Sequence, residues 1–211
     1  MRLTGKEIQR AINLGKSDSY VDAVKKDPGC WFEGGDFDPK YAIRIEPYDE
    51  SQLNPNSYNL KLDRKLLEYC LPDEPTLPQV FDGFVLDPKE DNPVQEIEIP
   101  EGGYVLQPGK LYLGSTVEWT EAHGSIIPHI TGRSSTGRLG LWVHVTAGFG
   151  DTGFCGNWTL ELACIHPVRV YPGMEVCQIS YEVALGRLTP YKGKYQGARS
   201  VESSKIHKDY K

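Results

Sequence analysis

Trp158-Thr159-Leu160-Glu161-Leu162-Ala163-Cys164-Ile165 and Val176-Cys177-Gln178-Ile179-Ser180-Tyr181-Glu182-Val183 are two apolar or alternating runs, with Pro172-Gly173 between them. Each run has the length of a strand and is short for a helix, and the Pro-Gly pair marks a turn. Upstream the same pattern repeats at 141–146, 126–130, 111–118, 96–99 and 81–86, and in alternating form at Tyr58–Leu62 and Tyr41–Ile45. Gly148-Phe149-Gly150-Asp151, Pro108-Gly109, Pro100-Glu101-Gly102-Gly103 and Pro72-Asp73-Glu74-Pro75 separate these runs. Short strands with such punctuation predict a mainly β domain: a sandwich, jelly roll or barrel.

The whole composition agrees. Of 211 residues, 22 are Gly and 15 are Pro, a share that favours turns over long helices. With 39% apolar and 25% charged residues, the chain can build a core, which excludes disorder as the main state. Twenty-three basic against 29 acidic residues leave a net charge of −6, so there is no general attraction for nucleic acid. Any phosphate must be held by a local cluster. No run is long enough to span a membrane, and the N-terminus lacks the apolar core of a signal peptide. A cytoplasmic protein is expected.

At the N-terminus, Thr4 and Glu7 form a capping-box pattern, with Leu3 placed to staple Ile8. Ile8, Ala11 and Ile12 make one apolar stripe and Gly15 can end the helix. A second short helix is expected over 20–26, and residues 29–40 read as loop. The polar tail from Leu188 is expected to lie on the surface or to order on a ligand.

Five cysteines (30, 70, 155, 164, 177) show no CxxC spacing, and five histidines (123, 129, 144, 166, 207) show no HxxxH or HExxH pattern. Without an export signal, free thiols are the default. The HxE and PCxxC signature of zinc-dependent nucleobase deaminases is absent as well.

Three segments can carry chemistry. Gly132-Arg133-Ser134-Ser135-Thr136-Gly137-Arg138-Leu139-Gly140 packs guanidinium groups, hydroxyls and glycines into one turn, which suits a polyphosphate, and equally a polar hairpin with solvated arginines. Asp151, flanked by glycines, with Phe154 three residues on, suits a sugar hydroxyl and a sugar ring, but also an Asx turn beside a core Phe. Glu161 interrupts an apolar strand on the face opposite Leu160 and Leu162. If that face is buried, its charged form is penalised and the carboxyl becomes a candidate general base; on an open face it is an ordinary strand Glu.

Taken together, Arg133-Ser134-Ser135, then Gly148 to Gly156 around Asp151, then Leu160-Glu161, resemble the dCTP deaminase branch of the trimeric dUTPase superfamily. Ile45-Glu46-Pro47 with Gln52 to Leu60, Tyr171-Pro172-Gly173-Met174 with Gln178-Ile179, and Lys194-Tyr195-Gln196-Gly197 are similar to further motifs of that family. The resemblance covers the chain as one domain, 1–211, except for 17–40, which looks like an insertion, and parts of 64–95.

The resemblance implies a distorted β-barrel or jelly roll with a short N-terminal helix, and a homotrimer with active sites shared between subunits. It implies zinc-independent hydrolysis of dCTP to dUTP and ammonia, with magnesium on the triphosphate. Glu161 then falls on the general acid/base, supported by Arg138 and Ser134, and the carbonyl of Ala147 helps to hold the attacking water. Arg133, Ser135, Thr136 and Gly137 belong to the phosphate-holding turn. Asp151 matches the sugar 3′-hydroxyl ligand and Phe154 the aromatic beside the deoxyribose. Thr159 and Leu160 lie beside the base, and Gln178, Tyr191 and Lys194 match further nucleotide contacts. A mobile C-terminal tail, 188–211, follows from the same resemblance.

Some positions depart from the family. Ala198 stands where Gln is common, with Gln196 or Arg199 as replacements; Thr152 stands for Pro and Gly150 for Ile. Gly148-Phe149 resembles a bifunctional branch that yields dUMP and pyrophosphate, the alternative to dUTP release. A plain dUTPase and a catalytically silent nucleotide-binding regulator are the other readings; Leu160-Glu161 speaks against the first, and the set Glu161, Arg138, Ser134 against the second.

Overall fold

The computed structural model describes residues 1–27, 40–70 and 85–210, together with the backbone of residues 32–33 and 36–37. Twelve strands carry the main body: β3 (Tyr41–Glu46), β4 (Tyr58–Tyr69), β5 (Val94–Glu98), β6 (Tyr104–Leu106), β7 (Tyr112–Thr116), β8 (Trp119–Gly124), β9 (Ile126–Gly132), β10 (Leu141–Trp142), β11 (Cys155–Gly156), β12 (Thr159–Cys164), β13 (Val168–Val170) and β14 (Glu175–Val183). A two-strand ribbon, β1 (Phe32–Glu33) with β2 (Asp36–Phe37), precedes them. The fold is a mainly β, distorted barrel, as expected.

The larger sheet runs β10-β12-β7-β4-β14-β9, with β5 on the far part of β4; the second sheet is β11-β8-β3. The named strand pairs are antiparallel, so one face can be apolar and the other wet. β12 shows the alternation cleanly: Leu160, Leu162 and Cys164 are buried, while Thr159, Glu161 and Ala163 are half-buried. Leu160 and Leu162 join Ile43 of β3, Leu60 of β4 and Ile179 of β14 in one core. Each such side chain contributes about 1.5–3 kcal/mol by leaving water.

Helix α1 (Gly5–Gly15) starts where predicted. Thr4 Oγ1 accepts from the Glu7 amide at 3.4 Å, and Ile8, Ala11 and Ile12 are buried. The reciprocal half of the capping box is not made. The Glu7 carboxylate instead accepts from Arg10 Nε at 2.8 Å and the Tyr41 hydroxyl at 3.0 Å, because β3 brings a better donor within reach. Helix α2 (Asp18–Lys26) begins two residues earlier than expected, since Ser17 caps it by accepting from the Tyr20 amide. Val21 and Val24 bury its inner face, so this part of the 17–40 segment packs against the body. No helix among the described residues is long and apolar enough to cross a membrane.

Strand runs at 41–45, 96–99, 126–130, 158–165 and 176–183 fall on observed strands. The run 141–146 keeps only two strand residues, because 143–147 turns away to line a cleft. Residues 81–84 of the run 81–86 lie outside the described residues, and 85–86 are not strand. Strand β8 was not expected; its polar residues hide a strand that pairs on both sides.

One buried charge ties the body together. Glu118 is wholly buried, and its carboxylate accepts from Gln52 Nε2 at 2.8 Å and the Lys61 amide at 2.9 Å. Burial pushes this carboxyl above its ordinary pKa, and the two donors oppose that only in part.

Candidate active site

β12 presents Glu161 on its wetter face, at one wall of a cleft of about 470 Å³. This face is half-open, because the core takes the opposite side of the strand. The carboxylate is instead fixed by donors. Glu161 Oε2 accepts from the amides of Val145 at 3.1 Å and Thr146 at 3.4 Å. The Glu161 amide in turn donates to Val143 O at 2.9 Å, so strand and turn hold each other in both directions. No partner of Oε1 is found among the described residues.

The same cleft gathers Ala147, Asp151, Phe154, Thr159 and Tyr191. Asp151 is exposed at its edge. Phe154 packs on Trp158, with centroids 4.6 Å apart, and edge-on to Tyr191 at 5.8 Å, which gives an aromatic platform. Leu160 contributes no side chain, since it is wholly buried in the core; only its backbone can face a base.

His144 also lines the cleft, a residue that no motif had singled out. Both of its ring nitrogens are buried without a hydrogen-bond partner. Burial lowers its pKa, and the nearby Glu161 pulls weakly the other way. The ring is therefore a neutral imidazole with one N–H and one lone pair unused. The available signal was only its place two residues before Thr146, in the turn that clamps Glu161.

Arg133, Ser134, Ser135, Thr136, Gly137, Arg138 and Gln178 do not line this cleft. They lie around a single helical turn, α3 (Ser134–Gly137), and on β14. Arg133 pairs with the Glu175 carboxylate at 3.0 Å, and buried Thr136 donates to the carbonyl of Arg133 at 2.9 Å. Gln178 accepts from Ser57 and donates to Gly132 O, so it braces the turn from behind. Ser134, Ser135, Gly137 and Arg138 are exposed. Within one chain the Arg138 guanidinium is exposed, with no partner among the described residues. Between the two groups lie exposed apolar side chains: Leu139, Trp142 and Val145 are each at least half exposed.

The tail roofs the cleft of its own chain. Tyr195 and Glu202 line it, the Gly197 amide donates to Cys155 O at 2.8 Å, and the Glu202 amide donates to Thr159 Oγ1 at 3.2 Å. Lys194 pairs with Asp209 outside the cleft. Neither proposed replacement for the missing Gln at 198 is free: Gln196 is bound to Gly153 O and the Cys155 amide, and Arg199 stacks on Trp119 at 3.7 Å. Ala198 is buried and its carbonyl accepts from the Asn157 amide.

The glycine at 150 has a steric cause. A Cβ at position 150 would sit 2.4 Å from the Trp158 ring, so Trp158 has taken the space of a side chain there. A Cβ at 148 would sit 2.4 Å from Ile130 O, while Phe149 packs edge-on against His129.

The family model described as dCTP deaminase-like matches residues 37–184. The chain belongs to this family. Among curated relatives, "dCTP deaminase, dUMP-forming" from Cytophaga hutchinsonii is 53% identical over 80% of this chain and 90% of its own length. The protein of that name from Leptospira biflexa is 51% identical over the same shares. A crystal structure of 2′-deoxycytidine 5′-triphosphate deaminase from Agrobacterium tumefaciens matches with a TM-score of 0.51 at 21% identity, over 67% of this chain and 44% of that one. That last match bears on the fold alone. The family match makes this chain an enzyme of the dCTP deaminase-like family, and its cleft falls in the size range of small-molecule sites.

Proposed function

We propose that the chain converts dCTP and two waters to dUMP, ammonia and pyrophosphate. The observation that carries the deamination step is Glu161, held by two backbone amides on the wall of a cleft that also contains Asp151 and Phe154. Glu161 takes a proton from water as the water oxygen bonds to C4 of cytosine, and the ring electrons move to N3, which takes that proton. The second proton of the water passes through Glu161 to the amine; the C4–N bond breaks and ammonia leaves a uracil carbonyl. The carbonyl of Ala147 orients the water, and Asp151 accepts from the sugar 3′-hydroxyl beside Phe154. General acid–base help of this kind is worth about 10²–10⁴ in rate.

The product dUMP is supported by the names of relatives at about half identity, and by Gly148, whose place against Ile130 O excludes a side chain. In the second step a further water bonds to the α-phosphorus, the α–β anhydride bond breaks and pyrophosphate departs. Release of dUTP after the first step is the second reading.

Arg138, Ser134 and Ser135 serve the phosphates, and we infer that they serve the cleft of a neighbouring copy in a homotrimer. Their exposure, their separation from Glu161 in one chain and the apolar side chains between support this. Hydroxyls and guanidinium groups suit phosphate oxygens, not a cation. Magnesium carried on the phosphate oxygens would offset their charge. We place the reaction in the cytoplasm and assign it no zinc.

Chromatography of dCTP after incubation with the protein tests the reading. Equal amounts of dUMP and ammonia are expected. Accumulating dUTP would favour the second reading, and tight binding without turnover would identify a regulator.

A further inference from the structure

Glu121 and His123 stand two residues apart on β8, so both project from one face of the strand. Cys155 of β11 lies directly opposite Glu121 in the ladder. The three side chains bring an imidazole nitrogen, a carboxylate oxygen and a thiol sulfur within 4.8 Å of one another. His123 Nε2 is 2.8 Å from Glu121 Oε2, and His123 is nine-tenths buried or more. None of the three lines the nucleotide cleft.

We propose that Glu121, His123 and Cys155 form a binding site for one divalent cation of the zinc class, separate from the catalytic cleft. The donor set decides the class. Thiolate and imidazole select borderline-soft ions, whereas magnesium and calcium take oxygen cages. A tetrahedral ion would use Nε2, Oε2 and Sγ, with water in the fourth position. Binding replaces the His123–Glu121 hydrogen bond, whose proton moves to His123 Nδ1, and releases the Cys155 thiol proton to solvent; no oxidation state changes. Arg44, 3.8 Å from Glu121 Oε2, is the opposing charge. It is already held by Asp18 and by Gly15 O, which lets it yield the carboxylate.

The place of the site gives it a consequence. The Cys155 amide donates to Gln196 Oε1 at 2.9 Å, and its carbonyl accepts from Gly197. An ion that ties Cys155 to β8 therefore fixes the edge on which the tail docks as it roofs the cleft. The assignment rests on the side-chain cluster and stands whichever nucleotide is the product.

Cobalt(II) is the probe, because thiolate ligation adds a charge-transfer absorption band in the near ultraviolet. Titration of the full chain, freed of metal, is expected to give one cobalt per chain with that band, and zinc is expected to displace it. Cys155→Ser is expected to abolish the band while circular dichroism stays that of the parent; Cys70→Ser is expected to keep it. Glu121→Gln is expected to weaken zinc by at least about tenfold, the lower end for loss of a supporting group. It also serves if Cys155→Ser does not fold. A chain that gives no band, a band that survives Cys155→Ser, or unchanged zinc affinity in Glu121→Gln would overturn the site.

Discussion

The wall of the cleft on β12 and the turn at 133–138 use polar groups in opposite ways. On β12, Glu161 is spoken for: two amides hold one oxygen and the strand holds the amides in place. At the turn, only the supports are tied down, with Arg133 on Glu175 and Thr136 on the backbone, while Ser134, Ser135 and Arg138 face outward. On the function proposed above, Glu161 as acid/base and the outward side chains as phosphate ligands would be complementary halves of one site. A single chain carries both but does not bring them together, which is what a shared interface would require.

The largest effect is expected from the first half. Glu161→Gln keeps the shape and the amide contacts but cannot relay a proton. Turnover should fall by about 10²–10⁴, with nucleotide binding retained, as read by steady-state kinetics and calorimetry. Near-parental turnover would reduce Glu161 to a strand carboxylate. Arg138→Ala attacks the second half. It should lower kcat/KM by about 10²–10³ and weaken nucleotide binding as well, because an electrostatic donor is lost from both the ground and transition states.

A smaller effect sharpens the role of His144. Its buried ring has a lowered pKa, so the neutral form persists below the ordinary value of 6.5 and is lost only as pH falls further. If the neutral ring is needed, the acid limb of kcat should lie below pH 6.5, and His144→Asn should remove that limb. The smallest change touches neither half. Gln52→Ala leaves buried Glu118 with one donor fewer and should cost about 1–3 kcal/mol at pH 7 by denaturant melts. The folded-state pKa of Glu118 is raised, so protonation favours the fold as pH falls toward the unfolded value. The loss should therefore shrink near pH 4.

Much of the fold was legible because β12 buries one face, which leaves period-two alternation in the sequence, while β14, buried on both faces along much of its length, reads as a short apolar run. β6, β11 and β13 are two or three residues long, too short to show any period, and β8 carries charge on paired positions. The cleft residues Asp151, Phe154 and Glu161 were singled out by the family resemblance, since type and spacing alone left each of them open. Three features were not legible. The openness of the Glu161 face depends on how 143–147 turns away. The exposure of Arg138 depends on how the α3 turn is placed on the body, which no local pattern records. The Glu121-His123-Cys155 cluster joins residues about thirty positions apart through the β8–β11 ladder, which no local motif records.

The claim that the two halves meet only between subunits has a direct test in mixed trimers. Glu161→Gln and Arg138→Ala chains, each nearly inactive alone, are co-expressed in equal amounts and purified together. If each site takes Glu161 from one chain and Arg138 from its neighbour, random assembly restores about a quarter of parental turnover. If both groups act within one chain, the mixture stays as inactive as its parts, and the shared site is wrong.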